Sequence, residues 1–128
     1  MKLLLDTHAF IWTAASPELF SLDVRDMIAQ STNEVFVSAA VAWEISIKHA
    51  FGKLSLPGEP TAWFPARMHQ LGFRQLPITV EHALAVHALP ALHNDPFDRI
   101  MIAQAQIEGL TLVSADVKVQ QYSIRVIH

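Results

Sequence analysis

The hydrophobic and polar positions of this chain form short apolar runs separated by longer stretches of mixed polarity. The apolar runs are KLLLD (2–6), EVFVS (34–38), FRQLPI (73–78), TLVSAD (111–116) and YSIRVI (122–127). Short runs rich in leucine and β-branched residues, bounded by polar residues, predict buried strands. We therefore expect five strands.

The stretches between these runs predict helices, and several of them carry capping residues at their ends. Ser38 suits the N-cap of the third helix and Gly52 suits the position after its end. Asp95 and Gly109 have the same relation to the last helix, while Pro65 is predicted to interrupt the fourth. The predicted helices cover residues 8–15, 22–30, 39–51, 62–71, 80–89 and 96–108.

Strands that alternate with helices predict an α/β fold with a parallel central sheet flanked by helices on both faces. The length of 128 residues predicts one domain, residues 1–128, with a substantial core. Apolar residues make up 52% of the chain and charged residues 16%, which excludes a disordered polypeptide. We found no internal repeat or linker.

The composition also bears on the cellular compartment. The chain has no cysteine, so disulfides and thiolate metal sites are excluded. The leucine run at the N-terminus is too short for a signal peptide, and no apolar stretch is long enough to span a membrane. A cytoplasmic protein without a membrane partner is therefore expected.

Four acidic residues occupy positions that the predicted fold would bring together. Asp6 and Asp116 each follow an apolar run, Asp98 lies in the first turn of the last helix, and Glu44 is flanked by apolar residues. The carboxyl ends of parallel strands share one edge of the sheet, where ligands bind. Clustered carboxylates repel each other unless a cation neutralises them, and their oxygens suit Mg²⁺ or Mn²⁺.

Each acid taken alone also has an ordinary structural explanation. Asp6 and Asp95 could cap helices, Glu44 could pair with Lys48 one turn later, and Asp116 could belong to a turn. Asp98 could complete a capping box. The signal therefore lies in the combination of four acids.

The overall charge does not decide whether the partner is a nucleic acid. A net charge of −3 argues weakly against one. Without the four acids, however, the rest of the chain would carry +1, against −3 for the whole. The surface around a metal site could therefore still meet a phosphate backbone.

The chain resembles PIN-domain proteins, and within them the VapC-like ribonuclease toxins of prokaryotic toxin–antitoxin pairs. The resemblance rests on LLLDTHAFIW, VSAAVAWEISIKHAFGKLSLP, HNDPFDRIMIAQA and TLVSAD, which occur in the order typical of the family and span nearly the whole chain. The most specific stretches are the opening LLLDTH and DPFDRIMIAQA. The family resemblance implies a PIN fold with an acidic pocket that binds Mg²⁺ or Mn²⁺.

By motif position, the resemblance assigns metal binding and catalysis to Asp6, Glu44, Asp98 and Asp116. The fourth position is the most variable in the family, and the role of Asp95 stays open. Thr7 and Ser114 lie where family members often place a hydroxyl that orients a carboxylate or water. The implied activity is endonucleolytic hydrolysis of RNA, such as transfer or ribosomal RNA. A cognate antitoxin and a homodimer are the implied protein partners.

Two other functions compete with this interpretation. A PIN-like module could bind RNA or protein without cutting, although the presence of all four acids argues against this. A haloacid-dehalogenase-like phosphatase also begins with a strand and an aspartate, but it needs a second aspartate where this chain has His8. The seven histidines show no zinc-ligand spacing, so surface or packing roles are expected for them.

Two further features leave alternatives open. Arg99 could contact phosphate or form a salt bridge. The stretch FGKLSLPGEPTAWF (51–64) is unusually apolar for a loop. Its apolar side chains could pack locally, or they could line a groove that receives an antitoxin segment.

Overall fold

The computed structural model describes residues 1–128 and contains a five-stranded sheet in which all neighbouring strands are parallel. The spatial order of the strands is β3-β2-β1-β4-β5. In chain order the strands are β1 (Lys2–Leu5), β2 (Glu34–Ser38), β3 (Arg74–Leu76), β4 (Thr111–Val113) and β5 (Val126–Ile127). Leu4 of the central strand is aligned with Phe36 on one side and with Leu112 on the other.

Six α-helices connect the strands, together with three single-turn 3₁₀ helices at Pro17–Leu19, Val86–Ala88 and Val119–Gln121. The α-helices are α1 (Thr7–Ala15), α2 (Leu22–Ala29), α3 (Ala39–Ala50), α4 (Pro60–Leu71), α5 (Val80–Ala85) and α6 (Pro96–Glu108). None of them is both long and apolar enough to cross a membrane.

Both faces of the sheet are covered. Leu3, Leu4 and Leu5 follow one another in the central strand, and each is fully buried. Successive side chains of a strand point to opposite faces, so burial of all three requires packing on each face. The predicted α/β fold, with its parallel sheet flanked by helices on both faces, is confirmed.

The strand order places a crevice beside the central strand. The chain adds β2 and then β3 on one side of β1, and it returns through α5 and α6 to add β4 and β5 on the other side. Because the direction of winding reverses between β1 and β4, the connections that leave their carboxyl ends diverge. The residues that follow β1 and β4 therefore border an opening rather than a packed loop.

The caps predicted for α3 and α6 are confirmed. The Ser38 hydroxyl accepts a hydrogen bond from the amide of Ala40, and Asp95 caps α6 in the same way through the amide of Asp98. Gly52 and Gly109 both adopt a positive φ, of 70° and 67°. A residue with a side chain is strained in that conformation, which explains the glycines at these positions.

Some details of the predicted elements are wrong: the helix predicted at 80–89 is an α-helix only to Ala85, and the strand predicted at 73–78 is only Arg74–Leu76. Pro65 does not interrupt α4, because Trp63, Phe64 and Met68 pack against the core on either side of it. This packing outweighs the single backbone hydrogen bond that proline removes. The last strand comprises only Val126–Ile127 instead of residues 122–127, since the adjacent β4 has just three residues.

Most of the apolar stretch 51–64 packs locally. Leu54, Leu56, Trp63 and Phe64 lie against the buried core. The rings of Trp63 and Phe64 have centroids 5.9 and 5.1 Å from that of the fully buried Phe10. Phe51 differs from them, because 75% of its surface is exposed.

This difference predicts opposite outcomes for two substitutions of aromatic residues in one segment. Trp63→Ala should lower the free energy of unfolding by about 2–3 kcal/mol, since it removes contacts with the core but is only partly buried. Phe51→Ala should change it by less than about 0.5 kcal/mol. Urea denaturation of both variants measures the two values, and equal losses would contradict this packing.

Candidate active site

A cavity of about 340 Å³ lies at the carboxyl ends of β1 and β4. All four acids singled out in the sequence line it, and Asp95 is a fifth. The structure thus brings together residues from positions 6, 44, 98 and 116 that are far apart in the chain. The other residues that line the cavity are Thr7, His8, Trp12, Lys48 and Ala115.

Asp6 is both a helix cap and a wall of the cavity. Its backbone amide donates to Val113 of β4, and its Oδ1 accepts from the amide of Ala9 at 2.8 Å. Only 6% of the residue is exposed, and this burial raises the pKa of the carboxyl above its usual range. Hydrogen bonds from Ser114 and Ala9 lower the pKa in part, as does nearby His8, while the charge of Glu44 raises it further.

Glu44 is buried on α3, with 5% of its surface exposed, and two donors hold its two oxygens. The hydroxyl of Thr7 donates to Oε1 at 2.5 Å, which agrees with the orienting role expected at that position. The ammonium of Lys48 donates to Oε2 at 2.5 Å. Both predictions for Glu44 are therefore correct: it pairs with Lys48 within α3, and it lines the cavity. Lys48 places a positive charge next to the acids.

Asp98 lies in the first turn of α6, but its side chain turns away from the helix amides. Its Oδ2 lies 3.1 Å from Nε2 of His93, so the capping-box alternative is wrong. Burial, followed by the nearby charge of Asp95, raises the pKa of Asp98 to about 6, and Asp6 adds to the rise. His93 opposes it through its hydrogen bond and charge.

Asp116 is the most exposed of the four acids and sits in the turn after β4. Its Oδ1 accepts from the amide of Lys118 at 2.9 Å, and its own amide donates to Ser114 Oγ at 3.2 Å. The predicted turn role is confirmed, and Ser114 orients this backbone. Because no buried contact holds the carboxylate, it can reorient at little cost.

The donor set of the cavity suits a hard divalent cation, since it consists of carboxylate oxygens without sulfur. Burial is the main cause of the raised pKa values of Asp6 and Asp98, and repulsion from neighbouring acids adds to it, so a bound cation would offset both effects. No three His, Asp or Glu side chains form a ready-made ligand set, however, and protein donors hold oxygens of Asp6, Glu44 and Asp98. A divalent cation would need these acids to come closer together, and it would compete with Lys48 for Glu44.

Sequence reasoning missed His93 and Tyr122, which act beside Asp98. His93 is not a surface or simple packing residue, since its two ring nitrogens contact Asp98 and Tyr122. The salt-bridge alternative for Arg99 is wrong, because its guanidinium binds backbone carbonyls and the Tyr122 hydroxyl instead. The other alternative, a contact with phosphate, stays a prediction. The spacing of His93 five residues before Asp98 was visible in the sequence, whereas the contact with Tyr122 was not.

Comparisons with known proteins agree with this geometry. A family model described as PIN domain matches residues 3–124. Over 65 residues the chain is 35% identical to Ribonuclease VapC16 of Mycobacterium tuberculosis (strain ATCC 25618 / H37Rv). That alignment covers 51% of this chain and 45% of the relative, so the match spans less than half of the relative's length.

Solved structures show the same fold. VapBC2 from Rickettsia felis, bound to a DNA fragment from its promoter, superposes with a TM-score of 0.74 at 13% identity, covering 99% of this chain and 98% of the other. DNA-bound VapBC from Salmonella typhimurium gives a TM-score of 0.69 at 16% identity, covering 99% and 97%. With the family model matched over residues 3–124 and the acids gathered at the ends of β1 and β4, this chain belongs to the PIN-domain family.

Proposed function

We propose that the protein is a metal-dependent endoribonuclease and the toxin of a VapBC-type toxin–antitoxin pair. The observation that carries the proposal is the single cavity lined by Asp6, Glu44, Asp98 and Asp116. The likeness to a protein named as a ribonuclease supports RNA as the substrate. Transfer or ribosomal RNA is the substrate class that the family resemblance implies.

Asp6, Glu44, Asp98 and Asp116 are the residues that would hold Mg²⁺ or Mn²⁺. When bound, such an ion lowers the pKa of water and stabilises the charge that develops on a phosphodiester. Asp98, whose carboxylate lines the cavity, accepts the proton of the attacking water. Asp116 is the alternative proton acceptor.

The reaction breaks one bond of the RNA backbone. The water oxygen forms a bond to phosphorus while the bond from phosphorus to the 3′ oxygen breaks, and that oxygen takes up a proton. The products carry a 5′-phosphate and a 3′-hydroxyl. Lys48 lies in the cavity wall and, once it leaves Glu44, places a positive charge where the phosphate enters.

The protein partners belong to the same proposal. The similar structures from Rickettsia felis and Salmonella typhimurium are VapBC complexes, which supports a cognate antitoxin for this chain. An antitoxin that covers the acidic cavity would block cleavage. A homodimer is also proposed, and the exposed apolar side chains of Trp43, Val80 and Leu84 provide apolar surface for it.

The test is cleavage of purified transfer and ribosomal RNA by the metal-free protein after addition of Mn²⁺ or Mg²⁺. We expect cleavage with either ion, none with excess EDTA, and recovery when the ion is restored. Sequencing of the fragments should find 5′-phosphate ends. The product of a small reading frame beside the gene, added in equimolar amount, should stop the reaction.

The competing hypothesis of a non-cutting module makes a different prediction for the same assay. It predicts RNA or protein binding with intact RNA at every metal concentration. For any Asp→Asn variant of the cavity, Asp26→Asn is the matched control, since Asp26 is an exposed aspartate on α2 and does not line the cavity. Its cleavage rate should equal that of the wild type.

A further inference from the structure

We propose that His93 is a positioning residue for Asp98 and that Tyr122 holds His93 in the tautomer this role requires. The inference rests on the proposed function, because Asp98 is one of the acids assigned to the metal. It adds two residues that lie outside the set of acids. One of them comes from the C-terminal segment of the chain.

Three side chains form a continuous line of hydrogen bonds that ends at Asp98. His93 Nε2 lies 3.1 Å from Asp98 Oδ2, and His93 Nδ1 lies 2.7 Å from Tyr122 Oη. The side chains of His93 and Asp98 are only 7% and 15% exposed, and Tyr122 is 4% exposed. Water therefore competes little for these contacts.

Arg99 determines which groups donate and which accept in this line of hydrogen bonds. Its Nη1 donates to Tyr122 Oη at 2.8 Å, and a guanidinium has no acceptor. The hydroxyl hydrogen of Tyr122 then has one partner within reach, Nδ1 of His93. Nδ1 is therefore the acceptor, so the ring proton resides on Nε2 and is donated to Asp98.

Arg99 is itself held by the backbone of the segment that carries His93. Nη1 also donates to the carbonyl oxygens of Pro90 and His93, at 2.9 and 3.2 Å. Nη2 lies 3.4 Å from the carbonyl oxygen of Val86 and 3.5 Å from that of Leu89. With so many acceptors, the guanidinium is fixed in place beside Tyr122.

The consequence for the site concerns the two oxygens of Asp98. His93 occupies Oδ2, whereas Oδ1 has no donor from the protein and is the oxygen left for a cation. A carboxylate held at one oxygen keeps its orientation when a ligand binds at the other. Such supporting hydrogen bonds are typically worth about 10- to 100-fold in metal affinity.

The first test is the tautomer of His93 in the metal-free protein. Long-range ¹H–¹⁵N NMR of histidine-labelled protein at pH 8 should show the proton of His93 on Nε2. Exposed His87 is an internal reference for a ring without such contacts and should show exchange between tautomers. A proton on Nδ1 of His93, or the same averaging as His87, would overturn the proposal.

The second test compares the dissociation constant for Mn²⁺, measured by electron paramagnetic resonance, across matched variants. His93→Ala should weaken binding about tenfold, and Tyr122→Phe about threefold. His93→Gln should stay within about threefold of wild type, since its amide can donate from a position close to Nε2. His87→Ala should have no effect.

An equal weakening in His93→Ala and His93→Gln would mean that the ring acts by packing alone, and wild-type affinity in both would mean that it does not act on the site. If His93→Ala does not fold, the Mn²⁺ dissociation constants of His93→Gln and Tyr122→Phe test the proposal, with the same expected values as above. In the cleavage assay, kcat should fall in Tyr122→Phe while KM stays constant. If wild-type protein cuts no RNA, the proposed function fails, yet the tautomer and the Mn²⁺ affinities still test this inference.

Discussion

Replacing Asp6 with asparagine is expected to lower the rate of metal-dependent RNA cleavage by about 10²–10³-fold. The variant loses a charged oxygen of the proposed metal site, and the stabilisation that a metal ion provides is worth several kcal/mol. Folding should be preserved, because asparagine caps a helix as well as aspartate does. Single-turnover cleavage with saturating Mn²⁺ measures the rate.

The control for Asp6→Asn separates loss of the site from loss of the fold. Burial raises the pKa of Asp6, so the folded protein bears a cost for its charge that asparagine removes. The melting temperature of metal-free Asp6→Asn should therefore equal or exceed that of wild type. Cleavage at the wild-type rate would show that the cavity is not the reactive centre.

Replacing Asp98 with asparagine is expected to produce opposite changes in activity and stability. Cleavage should fall by at least about 100-fold, because the variant loses both an oxygen proposed to bind the metal and the proposed proton acceptor. The metal-free fold should become more stable above pH 6. Asparagine keeps an oxygen that can accept from His93, so the supporting hydrogen bond is retained.

The sign of the stability change follows from the raised pKa. Asp98 has a pKa of about 6 in the folded protein, against 3.8 for the free side chain, so the folded state binds its proton more tightly. The stability of the wild type therefore decreases as pH rises from about 4 to 6, while Asp98→Asn lacks this decrease. A shift of this size corresponds to at most about 3 kcal/mol, and solvent screening reduces the expected gain to about 1 kcal/mol.

Urea denaturation in EDTA between pH 4 and 8 tests this prediction. Asp26→Asn is again the matched control, since it removes an exposed carboxylate and should follow the wild-type curve. Parallel curves for wild type and Asp98→Asn across this range would contradict the assigned pKa. If wild type were more stable than Asp98→Asn above pH 6, the direction of the pKa shift of Asp98 would be contradicted.

The sequence was sufficient to predict most of the elements, because their signals are local. Apolar runs at 2–6, 34–38 and 111–116 predict the three central strands, and Ser38 and Asp95 mark the starts of two helices. Strands that alternate with helices predict the parallel sheet. The four acids could also be selected, since each stands at a fixed place relative to a strand or helix.

Only the tertiary structure decided which distant groups contact these acids. Thr7 meets Glu44 across 37 positions of the chain, and Tyr122 meets His93 across 29. No periodicity or capping rule extends over such separations, because these contacts depend on how the helices pack at one edge of the sheet. The same dependence explains the short last strand, whose length is limited by its neighbour β4. Local sequence thus determined the elements, the candidate acids and their nearest hydrogen-bond partners, whereas packing determined the distant partners and the raised pKa values.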